Sequence, residues 1–88
     1  MRILKWPIQP YGLTTHSIPQ GVRFLTVQAQ DGVPCVWGAV DENTAAKPVY
    51  FYSYATGEEI PEYPGTYLGT FQLMDGALVY HVFFIRTP

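Results

Sequence analysis

Two side chains in this sequence could do acid–base or nucleophilic work: His81 and Cys35. A neutral imidazole with an ordinary pKa of about 6.5 can serve as a base, a ligand or a pH switch. His81 lies inside an apolar run, where the plainer role is a partly buried imidazole hydrogen-bonded to a hydroxyl. A thiol becomes a nucleophile only beside a cationic group or a helix N-terminus. No His or Lys lies close to Cys35 in sequence, so a structural cysteine is expected. A Cys35/His81 pair would need two distant hairpins to pack together, and no third group is evident to orient the imidazole. Two histidines and one cysteine at distant positions make no metal-ligand spacing. Glu58, Glu59 and Glu62 could hold a hard cation, but they read as a solvated loop. The chain has no phosphate loop, no Gly-x-Gly-x-x-Gly and no serine elbow. No catalytic residue, metal ligand or cofactor is assigned, and a non-enzymatic protein is expected.

The other chemically distinctive stretch is Val49–Ala55, Val-Tyr-Phe-Tyr-Ser-Tyr-Ala. With a side-chain period of two, Tyr50, Tyr52 and Tyr54 share one face of a strand. Phenols combine a flat apolar ring with a polar tip, which suits protein interfaces and the stacking of bases or sugars. The competing role is to wall the core with their hydroxyls at its rim. The candidate binding surface is Tyr50, Tyr52 and Tyr54 with the adjoining Thr56 of the Thr56-Gly57 turn, and His81.

These residues must be positioned by strands. Eight Gly and eight Pro break the chain into short pieces, and no piece keeps the apolar spacing of an amphipathic helix. Runs of β-branched and aromatic residues between turn signals recur instead. Asp31-Gly32 separates Val22–Gln30 from Val33–Val40, and Asp75-Gly76 separates Thr66–Met74 from Ala77–Ile85. Asp-Gly accepts the positive φ that both central residues of a type I′ turn require. The two-residue loops then set the register. In the second hairpin Leu73 faces Leu78, Phe71 faces Tyr80, Gly69 faces Val82 and Tyr67 faces Phe84, and this face is assigned to the core. Gln72/Val79, Thr70/His81 and Leu68/Phe83 lie opposite. In the first hairpin Val27/Val36 and Leu25/Gly38 share one face, and Thr26/Trp37 and Gln28/Cys35 share the other. Both faces carry apolar residues, so the second must be covered by other elements or by another chain. Arg2–Ile8, Thr14–Ile18 and Val49–Ala55 supply further strands, Asp41–Lys47 a surface loop, and Glu58–Gly65 an irregular segment. The fold expected is all-β: a small antiparallel sandwich or open barrel of six to seven short strands with two Asp-Gly hairpins, forming one domain over residues 1–88.

Composition bounds the function classes. The chain is 48% hydrophobic and 14% charged, against a usual charged share of about 25%, which argues against disorder. Five Lys+Arg against seven Asp+Glu give a net charge of −2, so there is no electrostatic basis for holding a phosphate backbone. A single cysteine cannot form an internal disulfide. No apolar run approaches the roughly 20 residues of a membrane span, and the start lacks the apolar region of a signal peptide. A soluble protein without nucleic-acid or membrane partners is expected.

The string Leu25-x-Val27-Gln28-x-Gln30-Asp31-Gly32-x-Pro34-Cys35-Val36-Trp37-Gly38-Ala39-Val40-Asp41 resembles a family of small proteins from tailed bacteriophages and prophages. The resemblance extends over nearly the whole chain: a Lys5-Trp6 start, an Ile18-Pro19-Gln20-Gly21 turn, Thr56-Gly57, Tyr67-Leu68-Gly69-Thr70-Phe71-Gln72, and Gly76-Ala77-Leu78-Val79-Tyr80-His81-Val82-Phe83. This chain departs from the pattern at Pro7 and Pro10 and over Pro61–Pro64. The resemblance implies a phage origin and a small β-rich domain, and it transfers no catalytic residue. With no membrane span or signal-peptide region evident, the expected location of such a protein is the host cytoplasm.

The expected role is that of a non-catalytic phage accessory protein acting by protein–protein binding or self-association, as a homodimer or with a host or phage partner. The aromatic content supports this, because burying so many rings in so thin a domain is difficult. An anti-defence or host-takeover inhibitor of a host enzyme, and a nucleotide-binding module or sponge using the tyrosine face, remain open beside it.

Overall fold

Short runs of β-branched and aromatic residues, each closed by Gly, Pro or Asp, form seven strands and no helix. In the computed structural model, which describes residues 1–88, they are β1 (Arg2–Pro7), β2 (Gly12–Pro19), β3 (Arg23–Gln30), β4 (Val33–Val40), β5 (Ala46–Ala55), β6 (Thr66–Leu73) and β7 (Leu78–Arg86). All pairings are antiparallel. The strands form a three-stranded sheet in the order β1-β4-β3 and a four-stranded sheet in the order β2-β5-β7-β6. The result is an open two-sheet arrangement rather than a closed barrel. Its Cα extents of 40 × 31 × 15 Å match two sheets stacked about 10 Å apart. No helix long and apolar enough to cross a membrane is present.

The core lies between the sheets. Val27, Val36 and Val40 from one side meet Ile18, Val49, Phe51, Phe71 and Val82 from the other, with Ile8 and Val22 closing the ends. Phe24 anchors the interior contacts of aromatic rings, edge-on to Phe51 with centroids 5.5 Å apart and tilted against Phe84 at 4.7 Å. The sheets approach most closely where β6 passes β3. A Cβ at Gly69 would stand 2.8 Å from Val27 Cγ1, so glycine is what allows that approach. Gly38 plays the same part under Trp6, whose ring would lie 3.1 Å from an added Cβ.

Both hairpins follow the predicted register from the turn outward. Asp31 and Gly32 have φ of 52° and 78°, the positive signs that a type I′ turn requires. In the second hairpin Met74, Asp75 and Gly76 are all positive, at 53°, 54° and 87°. The strands end at Leu73 and Leu78, so Met74–Ala77 is a four-residue turn in place of the two-residue loop expected. Val27 pairs with Val36 and Gln28 with Cys35; Phe71 pairs with Tyr80 and Thr70 with His81.

Farther from each turn the register changes. A β-bulge between Phe24 and Thr26 puts Phe24, not Leu25, opposite Gly38. A second bulge between Tyr67 and Gly69 pairs Tyr67 with Phe83 instead of Phe84. An extra residue in one strand moves everything beyond it to the other face. Phe24 therefore turns toward the core while Leu25 is 44% exposed, and Tyr67, expected inside, is 55% exposed. Strand β5 also begins earlier than predicted, at Ala46, which shortens the loop expected over Asp41–Lys47.

Candidate functional site

The outer face of the four-stranded sheet carries the residues singled out from sequence. Period-two alternation along β5 sends Val49, Phe51 and Ser53 inward and Tyr50, Tyr52 and Tyr54 outward. Strand pairing then builds rows across the sheet. Leu13, Tyr52, Phe83 and Tyr67 form one row that crosses all four strands. Tyr54, His81 and Thr70 form the next, and Thr15, Tyr50 and Ile85 flank the first row on its other side.

The three tyrosines of β5 are not equivalent. Tyr50 is 37% exposed, whereas Tyr54 is only 8% exposed, so the candidate surface is open at Tyr50 and packed at Tyr54. Tyr52 stacks on Tyr54 with centroids 4.3 Å apart, and Phe83 meets Tyr54 edge-on at 5.8 Å. Burial, followed by the neighbouring Tyr52 and Glu58, pushes the Tyr54 phenol above its ordinary pKa of 10.0.

His81 sits in a chain of hydroxyls. Its Nε2 lies 2.7 Å from Thr56 Oγ1 and its Nδ1 lies 3.0 Å from Thr70 Oγ1. The Tyr67 hydroxyl is 2.6 Å from the same Thr70 oxygen, and Thr56 reaches the Val79 carbonyl at 3.4 Å. A hydroxyl has a single proton to give, so with Thr56 donating to the Val79 carbonyl the chain is complete when His81 Nε2–H donates to Thr56 and Nδ1 accepts from Thr70. Thr56, Tyr54 and His81 are thus brought together at one end of the face, while Tyr50 stands apart at the other.

Cys35 is remote from this cluster. It belongs to the three-stranded sheet, is buried, and directs its thiol at the Val33 carbonyl at 3.5 Å. Its row neighbours are Pro7 and Gln28. The Lys5 ammonium donates to Gln30 Oε1 at 2.5 Å, linking the outer strands on the two sides of the Cys35 position. The acidic loop is also committed in part. Glu58 Oε1 accepts from the Ala55 amide at 3.0 Å and Oε2 from the Tyr11 hydroxyl at 2.8 Å. That hydrogen bond is the main reason the Tyr11 phenol is raised above 10.0, with burial and the carboxylate's charge adding to it. No group of three or more His, Cys, Asp or Glu is placed to hold a metal ion.

Beside His81 the sheet and the loop after β5 enclose a hollow of about 280 Å³. Tyr54, Thr56, Glu58, Ile60, Tyr67, His81 and Phe83 line it. Of these, Glu58, Ile60, Tyr67 and Phe83 were not among the residues expected to form a site. Tyr67 was hidden by the bulge at Leu68, which no local signal announces. Glu58 read as solvated because its partner Tyr11 lies 47 residues away.

An open sandwich whose one outer face concentrates aromatic rings defines a small all-β domain. Within that class the chain belongs to a family described as a domain of unknown function, DUF7352, whose model matches residues 1–87. No curated protein and no solved structure matches the chain.

Proposed function

We propose that the protein is a non-catalytic accessory protein of phage or prophage origin, acting in the host cytoplasm by protein–protein binding or self-association through the outer face of the four-stranded sheet. The observation that carries this reading is the row Leu13–Tyr52–Phe83–Tyr67, apolar or aromatic on all four strands. Leu13, Tyr50, Tyr67 and Ile85 of this face are all exposed, and contiguous exposed apolar patches of this kind mark interaction sites. Phenols and phenyl rings are also enriched in interface cores. A two-fold homodimer is the simplest assembly, because one self-complementary patch then closes the contact.

Light scattering or sedimentation over a concentration series tests it. The dimer mass is expected, and it should revert to the monomer mass in Tyr52→Ala. A monomer at every concentration, in a protein that also captures no partner protein, would overturn the reading. The small-ligand alternative draws its support from a different feature, the hollow at the His81 end of the same face.

A further inference from the structure

The hollow beside His81 has walls of a particular chemistry. Strand β7 lies between β5 and β6, so Phe83 has Tyr54 on one side and Tyr67 on the other. Tyr54 stands at 72° to Phe83 with centroids 5.8 Å apart, and Tyr67 at 60° with centroids 5.5 Å apart. Phe83 thus meets a tyrosine ring steeply on each side, and all three residues line the same space. Tyr54 is only 8% exposed and is stacked on by Tyr52, so the accessible ring of this wall is chiefly Tyr67, which is 55% exposed. Ring faces carry the negative part of the aromatic quadrupole.

The polar lining adds to that sign. The Glu58 carboxylate stands in the wall, fixed by the Tyr11 hydroxyl and the Ala55 amide, and it retains lone pairs beyond those two bonds. No Lys or Arg lines the space. Both nitrogens of His81 are engaged by Thr56 and Thr70. An anion would meet ring faces and a carboxylate with nothing to balance it, which counts against a nucleotide phosphate. At about 280 Å³ the space falls just below the size of ligand pockets, which run from about 300 to 1,000 Å³. It suits a compact head group.

We propose that this hollow binds an organic cation, an alkylated ammonium group, held against Tyr67 and Phe83 with Glu58 as its counter-charge and Tyr54 as the floor behind them. Aromatic cages of this kind select cations through the ring quadrupole, and quaternary ammonium groups are their best-known guests. The cation arrives either on a free small molecule or on a basic side chain of a partner protein. The proposal rests on the reading of this face as a recognition surface and adds the chemistry of its anchor point.

The test is an amide chemical-shift titration of the full chain with choline and, separately, with the neutral isostere in which carbon replaces the quaternary nitrogen. Choline is expected to shift the resonances of Glu58, Tyr67, His81 and Phe83 saturably, and to bind about fivefold or more tighter than the isostere. Glu58→Gln keeps an acceptor for Ala55 and should weaken choline roughly fivefold while leaving the isostere unchanged. A peptide carrying trimethyllysine forms the second arm. Binding tighter than choline assigns the cation to a protein side chain, and equal binding assigns it to a free small molecule. Equal affinity for choline and the isostere, or no shift by choline in folded protein, overturns the proposal. A protein that dimerises through Tyr52 yet ignores choline would refute the cation site alone. One that binds choline but remains a monomer without a protein partner would refute the association reading alone.

Discussion

The outer faces of the two sheets meet the same physical problem and resolve it differently. Each carries apolar side chains that no further layer of the chain covers. On the three-stranded sheet these are Ile3, Leu25, Val33 and Trp37, interspersed with Arg23, Lys5, Gln28 and Gln30. Long amphipathic side chains can lay their stems over apolar neighbours and keep their heads in water, and the Lys5–Gln30 bond spans this sheet from β1 to β3. The four-stranded sheet has no such cover. Its outer face is built from tyrosines, Phe83 and a hydroxyl–imidazole chain. The difference extends to the composition of the whole molecule. Both tryptophans lie on the three-stranded sheet, and all seven tyrosines lie on the four-stranded sheet or the segments that border it. Both faces leave apolar side chains exposed, Ile3, Leu25 and Val33 on one and Leu13, Tyr67 and Ile85 on the other. The first intersperses them with flexible charged chains, and the second presents rigid rings with polar tips, which lose little conformational freedom on contact.

The largest effect is expected where a residue of the binding stripe has become part of the structure. Tyr54→Ala should cost about 3–5 kcal/mol of folding stability, as truncation of a buried aromatic does. Leu25→Ala, at the bulge on the opposite sheet, should change stability by no more than about 0.5 kcal/mol. Urea unfolding followed by tryptophan fluorescence measures both. Equal losses in the two variants would mean that the outer faces are not distinct in packing, and the comparison would fail.

Tyr52→Ala comes next and sharpens the comparison in terms of association. Removing an interface hot spot costs about 2 kcal/mol or more in binding. Tyr52→Ala should therefore shift the dimer–monomer equilibrium strongly while lowering the melting temperature far less than Tyr54→Ala. Trp37→Ala, on the three-stranded sheet, should leave association unchanged. Sedimentation that shows dissociation in Trp37→Ala and none in Tyr52→Ala would move the interface to the other sheet.

Much of this contrast was legible in the sequence, and its gaps have physical causes. The Asp-Gly turns fixed the pairing near each hairpin tip, because two positive-φ residues leave little freedom in register. The tyrosine stripe followed from period-two alternation alone. Leu25 and Leu68 are where the reading stops, since each is the extra residue of a bulge. Whether a strand bulges depends on the twist and packing of two sheets, not on its own residues. Phe24 and Tyr67 exchanged faces for that reason. The hollow was out of reach for a further reason: Tyr54, Phe83, Tyr67 and Glu58 come from three strands and a turn, and only the order β5-β7-β6 brings them together.

Smaller effects are expected from the two groups that could have carried chemistry, one on each sheet. His81→Gln loses part of the hydroxyl chain, and a typical hydrogen bond contributes about 1 kcal/mol net. Cys35→Ser exchanges a buried thiol for a hydroxyl that can still reach the Val33 carbonyl. Both variants should leave association and partner binding within a few-fold of wild type, with folding verified by circular dichroism. A folded variant of either kind that loses its biological activity outright would indicate chemistry at that residue and end the non-catalytic reading.

The smallest effect separates the sheets by pH. The phenols of Tyr54 and Tyr11 both titrate above 10.0 in the folded protein, the first chiefly through burial and the second chiefly through its bond to Glu58. A group whose pKa is raised by folding is protonated more firmly in the native state than in the unfolded chain. Its contribution is therefore fully present below about pH 10, the unfolded phenol value, and is lost as the pH rises through the native value. Stability should decline over that alkaline range, and Tyr54→Phe should flatten the decline because it removes one of the two phenols. Glu58→Gln should flatten it as well, since the carboxylate contributes to both shifts. The three-stranded sheet contains no tyrosine, so its tryptophans report the loss without titrating themselves. Urea midpoints read from tryptophan fluorescence at rising alkaline pH measure the slope. A slope unchanged in both variants would show that the alkaline sensitivity arises elsewhere, and that the tyrosine face differs from the outer face of the three-stranded sheet in contact chemistry but not in its coupling to folding.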